Sequence, residues 1–344
     1  MLNKGGWAQL QRFRVNALVI VLSTFALTSC STPVGTVTNF TDPSIRSPMG
    51  IAAGPDGNLW FNNYLGNSIG RITPAGVVSN FTDPSIRSPM GIAAGPDGNL
   101  WFTSYFGNSI GRITPAGVVS TFTDPSIMIP SAIAAGPDGN LWFINWGRAF
   151  DWVTFSSIGR ITPDGVVSNF TATAIDYLRA IVAGPDGNLW FTYADPYGYG
   201  GVGRITPAGV VSTFTDPSMT PPSSGTMIDA LPMGIAAGPD GNLWFTNSLG
   251  NSIGRITPAG VVSSFTHPSM ASPRGIAAGP DGNLWFTNSS GGSIGRITPA
   301  GVVSNFTDPS IAEPWQIAAG PDGGMWFTNS GNGSIGRITA ANSP

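Results

Sequence analysis

The sequence is poor in the residues that most often carry chemistry. It has one cysteine, Cys30, one histidine, His267, one glutamate, Glu313, and one lysine, Lys4. A lone cysteine leaves no intramolecular disulfide. After Cys30, twelve arginines stand against 17 aspartates and one glutamate, a formal charge of −6. A chain with no basic stripe cannot neutralise a run of phosphates, so nucleic acid is excluded as a partner.

One stretch, in contrast, is repeated along the chain. Residues 91–102 read GIAAGPDGNLWF, and seven copies of this stretch occur in all. Successive copies of its tryptophan lie 41, 41, 48, 54, 41 and 41 residues apart. A period near 40 residues is typical of repeat folds, in which each unit buries its faces against its neighbours. The seven tryptophans are Trp60, Trp101, Trp142, Trp190, Trp244, Trp285 and Trp326.

Each repeat reads as four strands, because its apolar runs are short, rich in Val, Ile, Phe and Trp, and separated by Gly and Pro. In the second copy the strands are predicted at residues 90–95, 99–104, 109–114 and 118–122. Pro-Asp-Gly and Pro-Ala-Gly turns connect the first strand to the second and the third to the fourth. The pattern predicts an all-β fold, a seven-bladed β-propeller of four-stranded antiparallel blades.

The two ends of the chain predict how the ring closes. The seventh repeat stops after its third strand, and residues 35–41 match residues 76–82, which form the fourth strand of the first repeat. We therefore expect the N-terminal strand to complete the last blade and to remove an open sheet edge. Residues 31–344 then form a single domain, which we expect to be a monomer.

The first 30 residues resemble an export signal. Three cations precede an apolar run at residues 15–27, which is too short to span a bilayer as a stable helix. Residues 27–30 read Leu-Thr-Ser-Cys and resemble the bacterial lipobox, in which the cysteine is lipidated and becomes the new N-terminus. We predict a signal peptide at 1–30, lipidation at Cys30, and an exported, membrane-anchored lipoprotein of the outer membrane or cell surface. The alternative is a plain secretory signal with an incidental cysteine.

Repetition separates scaffold from candidate site, because a residue present in every copy is expected to hold the blade together. The aspartate of each GPDG turn and the arginine of each GRI segment recur in all seven copies. A calcium loop needs several carboxylates close in sequence, so we interpret these aspartates as turn residues. The arginines are predicted to bond a turn carbonyl or aspartate inside the blade. His267 replaces the aspartate of a recurrent FTDPS segment and is interpreted as a surface residue.

Insertions break the pattern on one face of the predicted disc. They lie between the second and third strands of blades three and four, and before the first strand of blade five. Both kinds of connection emerge on the same side of an antiparallel blade, which makes that face the candidate working surface. Aromatic side chains there suit a small molecule, a glycan, a cyclic peptide or a partner protein, and the alternative is that they pack on one another. The ligand-binding candidates are Trp146, Trp152, Tyr193 and Tyr197.

A second irregular set stands two residues before the recurrent Ile of each inner strand, where the strands line the propeller axis. Three methionines, a tryptophan and two arginines in this set predict an apolar channel mouth with two cations, able to hold an anionic or aromatic ligand. The alternative is a plugged and functionally silent channel. The seven mouth positions are Met49, Met90, Ser131, Arg179, Met233, Arg274 and Trp315.

The blade signature, GIAAGPDGNLWFTN followed by SIGRIT and PAGVV, resembles the virginiamycin B lyase (streptogramin lyase) family across essentially the whole chain after residue 30. The resemblance implies a seven-bladed propeller. For the lyase proper it implies a magnesium-dependent elimination that linearises a cyclic depsipeptide antibiotic at its ester. It also implies a histidine base in a Glu-Pro-His-Gly-Ile segment of the last blade, a second histidine at the same position one blade earlier, and a glutamate shortly after the last blade's tryptophan.

Three of those positions carry other residues in this chain. Residues 313–317 read Glu-Pro-Trp-Gln-Ile, so Glu313 matches and Trp315 stands at the base position, while Arg274 and Asn329 occupy the other two. An indole accepts no proton, an arginine keeps its charge, and an amide is a poor substitute for a metal-bound carboxylate. We predict a non-catalytic binding scaffold without a cofactor. The alternative is a magnesium-dependent carbon–oxygen lyase that linearises a cyclic depsipeptide.

Overall fold

Each copy of the repeat folds into one four-stranded antiparallel sheet in the computed structural model of the chain. The structure describes residues 32–341, apart from residues 148, 151–152, 155, 172–174, 195–199 and 220–231. Seven such sheets form a ring, which confirms the predicted propeller. The only helical element of the described residues is a 3-10 turn at Pro217–Met219.

The first strand of each blade lines the axis and contains the recurrent Ile, and the second contains the tryptophan. Strands are numbered in chain order. The first strands are β2 (Pro48–Ala53), β6 (Pro89–Ala94), β10 (Pro130–Ala135), β16 (Ile181–Ala183), β20 (Pro232–Ala237), β24 (Pro273–Ala278) and β28 (Pro314–Ala319). The second strands are β3 (Leu59–Asn63), β7 (Leu100–Ser104), β11 (Leu141–Asn145), β17 (Leu189–Ala194), β21 (Leu243–Asn247), β25 (Leu284–Asn288) and β29 (Gly324–Asn329).

The third strand carries the arginine, and the fourth forms the rim of the disc. The third strands are β4 (Ser68–Ile72), β8 (Ser109–Ile113), β14 (Ser157–Ile161), β18 (Gly200–Ile205), β22 (Ser252–Ile256), β26 (Ser293–Ile297) and β30 (Ser334–Thr339). The fourth strands are β5 (Val78–Thr82), β9 (Val119–Phe122), β15 (Val167–Phe170), β19 (Val211–Phe214), β23 (Val262–Thr266), β27 (Val303–Thr307) and β1 (Val37–Thr41). A two-stranded ribbon, β12 (Ala149–Phe150) with β13 (Val153–Thr154), lies in the blade-three insertion.

The N-terminal strand closes the ring, as the sequence predicts. β1 pairs with β30 in antiparallel register, with Val37 opposite Ile338 and Thr41 opposite Ser334. Trp326 of blade seven packs in one buried cluster with Leu59 of blade one. The last blade is therefore completed by the first strand of the chain, and its far face is covered by the first blade.

The core lies between blades rather than within them. Trp101 of blade two is fully buried and packs in one cluster with Leu141 and Phe143 of blade three. Alternate side chains of a strand point to opposite faces of its sheet, so the Leu-Trp-Phe segment supplies both interfaces of a blade. Truncating one such tryptophan therefore removes contacts with the next blade as well as its own.

Four side chains of each blade form one repeated cluster beneath the Pro-Asp-Gly turn. In blade two, the Trp101 indole donates a hydrogen bond to Asp97 Oδ1 at 3.0 Å and stacks on Phe122 at 5.2 Å between centroids. Arg112 lies over both rings and donates to the Pro163 carbonyl of blade three at 3.2 Å. Its distance to Asp97 is 3.7 Å, too long for a strong ion pair. The arginine thus has the predicted aspartate of its own blade within 3.7 Å and, in addition, bonds a carbonyl of the neighbouring blade, which the sequence does not predict.

Six of the turn aspartates have a lowered pKa because hydrogen bonds hold them ionised. Burial opposes ionisation of Asp97, but hydrogen bonds from the side chains of Asn99 and Trp101 outweigh it, and the pKa of Asp97 is lowered. Asp56, Asp138, Asp186 and Asp240 show the same balance and the same lowered pKa. This confirms the interpretation of these residues as turn residues.

The disc has two unlike faces. The turn face carries the connections between first and second strands and between third and fourth strands, such as residues 55–57 and 74–76. The loop face carries the other connections, including every insertion. No helix in the described residues is long and apolar enough to cross a membrane.

Candidate functional site

A cavity of about 360 Å³ opens at the loop-face end of the central channel. Six of the seven predicted mouth positions line it, and in blade one the wall is formed by Gly50 and Ile51, next to Met49. Gln316, which follows Trp315 where most blades have glycine or alanine, also lines it. The six lining positions are Met90, Ser131, Arg179, Met233, Arg274 and Trp315.

A β-bulge gives six of the seven mouth positions their direction, the exception being Arg179, which precedes β16. In β24 the pairing with β25 shifts between Pro273 and Ile276, so Arg274 lies in the irregular segment, and β28 shifts in the same way around Trp315. A bulge bends its strand locally and re-aims a side chain. The preceding blade then fixes the backbone, because Thr246 Oγ1 donates to the Arg274 carbonyl at 2.7 Å. The mouth is thus built on regular strands with a local irregularity that leaves its side chains free to vary.

Arg274 and Trp315 form a cation–π pair between blades six and seven. The Arg274 Cζ lies 4.1 Å from the centre of the Trp315 ring, well inside the range of a favourable contact. Both side chains are only partly buried and line the cavity. The pair presents a flat, cationic and apolar surface to a ligand.

A second pair joins the blade-three loop to the mouth. The Trp146 indole donates to the Leu178 carbonyl at 2.7 Å, and Arg179 Cζ lies 5.2 Å from the Trp146 ring. Trp146 lines the cavity together with Arg179. Of the loop aromatics predicted as ligand contacts, Trp146 is therefore part of the same concavity as the mouth.

Two tyrosines extend this aromatic surface across blades one and two. The ring of Tyr105 lies 5.6 Å from Trp146 and 6.3 Å from Tyr64. Burial raises the pKa of Tyr105 and the neighbouring Tyr64 adds to the effect, while Arg179 opposes it. The phenol is thus a neutral hydrogen-bond donor at physiological pH. The sequence prediction misses both tyrosines, because neither lies in an insertion.

The other predicted aromatics are placed differently. Tyr193 lies in the core, 4% exposed, in the cluster that contains Phe191. It belongs to β17, which runs one residue longer than most second strands, and Gly201 opposite leaves room for its ring. Trp152 and Tyr197 lie outside the described residues, as does Cys30.

Asn329, at the position where the resemblance implies a glutamate, is a scaffold residue. It is fully buried, its Oδ1 accepts from the Ala312 amide at 3.3 Å, and its Nδ2 donates to Ser334 Oγ at 3.1 Å. Asn63 makes the corresponding bonds in blade one, to the Arg46 amide and Ser68 Oγ. The amide oxygen at this position is therefore committed to holding a loop.

Within the described part of the chain, the remaining polar residues do not assemble into a metal or acid–base site. Glu313 is exposed at a backbone φ of 45°, and its carbonyl accepts from Ser330. His267 is exposed, which confirms its surface location, and its Nδ1 lies 2.8 Å from Ser269 Oγ in the turn that precedes the mouth position Arg274. Among the described residues, no three His, Cys, Asp or Glu side chains gather. Arg274 places a cation at one of the implied positions and Asn329 a committed amide at another, so these residues do not fit a magnesium ion.

Seven blades around a bulged, open channel mouth define a β-propeller with an axial cavity. The sequence profile of the virginiamycin B lyase family matches residues 17–153 and 149–343, and the chain belongs to this family. Virginiamycin B lyases of Bordetella parapertussis and Bordetella bronchiseptica are each 57% identical over 35 residues. That match covers 10% of this chain and only 12% of the length of those relatives.

Solved structures match over much more of the chain. A streptogramin B lyase is 30% identical with a TM-score of 0.77, covering 88% of this chain and 97% of its own. A virginiamycin B lyase from Staphylococcus aureus is 32% identical with a TM-score of 0.75, covering 88% and 98%. A catalytically inactive form of the Staphylococcus aureus enzyme, with quinupristin, is 31% identical with a TM-score of 0.76, covering 88% and 99%.

Proposed function

We propose that this chain is a non-catalytic member of the virginiamycin B lyase family that binds a small aromatic or anionic ligand, cyclic peptides included, at the loop-face mouth. The observation that carries the proposal is the stacked pair of Arg274 and Trp315, 4.1 Å apart. These two residues occupy the positions at which the family resemblance implies histidines. At these positions the chain therefore has a binding surface instead of side chains that can transfer a proton.

The chemistry of these side chains supports binding without turnover. General base catalysis requires a side chain that can accept a proton within hydrogen-bond reach of the substrate. The Trp315 indole only donates, and the Arg274 guanidinium stays protonated. Glu313 is the one ionisable residue retained from the family motif, which is the specific observation that favours the lyase alternative.

The cavity lining indicates the kind of ligand. Met90, Met233 and Trp146 supply polarisable, apolar contacts, and Arg179 and Arg274 supply two cations. Ser131 is 4% exposed, and its Oγ makes no hydrogen bond to the described part of the protein. A ligand with an aromatic group and hydrogen-bond acceptors satisfies all three features, and the relative determined with quinupristin supports a cyclic peptide of that kind.

We also propose that the protein is exported and is a monomer tethered to the membrane by a lipid. Its support is the N-terminal sequence, a short apolar run at residues 15–27 followed by the lipobox-like segment that ends at Cys30. Replacing Cys30 with serine removes the site of lipidation, so the variant is expected to leave the membrane fraction. A Cys30→Ser variant that sediments with membranes as wild type does would show that this tether is wrong.

Calorimetric titration with quinupristin, paired with mass spectrometry of the mixture, tests the binding proposal. We expect saturable binding and, with magnesium present, no opened ring above the buffer rate. The double variant Arg274→Ala/Trp315→Ala should weaken binding at least about tenfold, since it removes both faces of the pair. Arg87→Ala is the matched control, because Arg87 is exposed on the loop face outside the cavity. Ring opening that disappears in Glu313→Gln would establish the lyase alternative instead.

A further inference from the structure

The turn face carries a ring of exposed apolar side chains that the proposed function does not use. The turn between third and fourth strands reads Pro-Ala-Gly-Val in five blades and Pro-Asp-Gly-Val in blade three. Its valine is 62–64% exposed in all six. Six similar apolar side chains therefore project from the same face at regular positions around the ring, whereas exposed apolar residues on most surfaces are scattered singly. The six are Val77, Val118, Val166, Val210, Val261 and Val302.

The charges on this face are largely engaged within the protein. The turn aspartates bond their own tryptophans, as Asp97 does, and the arginines lie over the ring stacks, as Arg112 does. Asp164, in the Pro-Asp-Gly-Val turn of blade three, is an exposed exception. The face therefore offers apolar contact without a cationic patch, and it contains no lysine.

The N-terminus of the folded domain emerges at this same face. The Gly35 amide donates to the Thr339 carbonyl at 2.9 Å, as the Gly76 amide donates to the Thr73 carbonyl at 2.8 Å in the blade-one turn. Thr32 and Pro33, which precede Gly35, are exposed. The chain thus enters the fold at the position of a turn, next to the valine ring.

The length of chain outside the fold limits where the disc can sit. Cys30 is two residues before Thr32, and two extended residues span at most about 7 Å. A six-residue strand such as β28, which runs from one face toward the other, spans about 20 Å. An anchor at Cys30 therefore holds the turn face near the membrane and keeps the loop face beyond its reach. An uncleaved apolar run at residues 15–27 would attach at the same face.

We propose that the turn face lies on the lipid bilayer, with the valine ring at the level of the headgroups and the ligand cavity open to the aqueous phase. This rests on the membrane tether of the proposed function, and it is independent of what the cavity binds. The occupant is the bilayer to which the N-terminus leads, since a short tether presents this face to lipid before any other partner. Lipidation at Cys30 holds the disc at the bilayer, and the valine ring determines which face lies on it.

Introduced single cysteines provide a direct test, because Cys30 is the only natural one and is consumed by lipidation. Val118→Cys and Phe106→Cys lie in blade two on opposite faces and are similarly exposed, 62% and 59% in wild type. The full-length lipidated protein is labelled with a fluorescent dye at either position, in vesicles of phosphatidylethanolamine and phosphatidylglycerol. We expect headgroup spin-labelled lipid to quench the dye at 118 at least about threefold more than the dye at 106, and aqueous iodide to show the reverse.

The outcomes separate the orientation from the tether. Equal quenching at the two positions in membrane-bound protein overturns the orientation and leaves the tether intact. Wild-type protein that does not bind the vesicles overturns the tether and the orientation together, while quinupristin binding remains a separate readout. Adding Val77→Asp and Val210→Asp should abolish the excess lipid quenching at 118, and no change would overturn the role of the valines. Sedimentation of the Cys30→Ser protein as a dimer that these aspartates dissociate would make the face a self-interface and overturn the proposal.

Discussion

The turn face and the loop face of this disc are built from the same repeat and yet obey different constraints. On the turn face, the indole of every blade donates to its turn aspartate, from Trp60 to Trp326. On the loop face, a single structural position holds methionine, serine, arginine or tryptophan as the blade changes. Residues that hold the fold together are therefore the same in every blade. Residues that differ between blades lie in the bulge and in the loops, where they take no part in regular strand pairing.

The loop face is itself divided. The position after the second strand is Tyr64, Tyr105 and Trp146 in blades one to three, and Ser248, Ser289 and Ser330 in blades five to seven. The aromatic half adjoins Arg179, whereas the serine half adjoins the Arg274–Trp315 pair. A ligand bound at the mouth would therefore meet Trp146 on one side and the Arg274–Trp315 pair on the other.

Among changes to the repeated scaffold, removal of the strand that closes the ring should lower the melting temperature most. Deletion of residues 33–41 leaves β30 with an unpaired edge, since β1 supplies all five of its partners there. We expect the melting temperature, followed by circular dichroism, to fall further than for any point variant described below. Deletion of residues 31–32 is the control and should change it little. Equal melting temperatures for the two deletions would contradict closure by β1.

Alanine substitutions of two tryptophans, one in the core and one at the mouth, should differ in their effect on stability. Trp285→Ala should lower the free energy of unfolding by about 3–5 kcal/mol, because the side chain is fully buried between blades. Trp315→Ala should change it by about 0.5 kcal/mol or less and act on ligand binding instead. Urea denaturation of both variants measures the contrast. If Trp315→Ala proved as damaging as Trp285→Ala, the mouth would be a structural plug.

Two aspartates of the turn face give a smaller contrast. Asp97→Ala removes the acceptor of the buried Trp101 indole and should lower the free energy of unfolding by about 1–3 kcal/mol. Asp164→Ala should be nearly neutral, because the other blades already carry alanine in that turn. The same urea titration compares them. A neutral Asp97→Ala would mean that the repeated cluster is held by ring stacking alone.

The smallest effect is expected in the pH dependence of the free energy of unfolding, compared between wild type and the turn-face variant Asp97→Ala. A carboxyl whose pKa is lowered by folding contributes stability above its unfolded pKa of about 3.9 and loses it as pH falls through the folded value. Hydrogen bonds lower the pKa of Asp97 against the opposing effect of burial. We expect the free energy of unfolding to stay level from about pH 7 to 5 and to fall below about pH 4, with a shallower fall in Asp97→Ala. An identical slope in wild type and variant would contradict this.

Much of the fold could be predicted because glycine and proline punctuate every repeat. The inner strand of blade two is predicted at residues 90–95 and observed at Pro89–Ala94. Ring closure could also be predicted, because residues 35–41 repeat a fourth strand that the last blade lacks. The cross-blade bond of Arg112 could not, since no sequence spacing shows that the neighbouring turn approaches more closely than the arginine's own.

The site could be predicted in outline only. Comparing the residue two before the recurrent Ile across seven blades finds the mouth. The same comparison at the position after the second strand would have found Tyr64 and Tyr105. Counting aromatics in an insertion, in contrast, does not reveal that Tyr193 turns into the core, because that depends on the space above Gly201. The stacking of Arg274 on Trp315 depends on side-chain rotamers, about which a spacing of 41 residues says nothing.

The junction of the two chain ends has a consequence for how the sequence may be reordered. Thr339 Oγ1 accepts from the Thr36 amide at 2.9 Å, and Thr73 Oγ1 accepts from the Val77 amide at 3.1 Å in an intact turn. The two ends of the propeller thus form a turn that keeps its hydrogen bonds without a peptide link. Any of the six intact turns is an equivalent place to open the chain once the present ends are joined. The order in which the blades are translated is therefore not dictated by the ring, and circular permutation offers seven nearly interchangeable starting points.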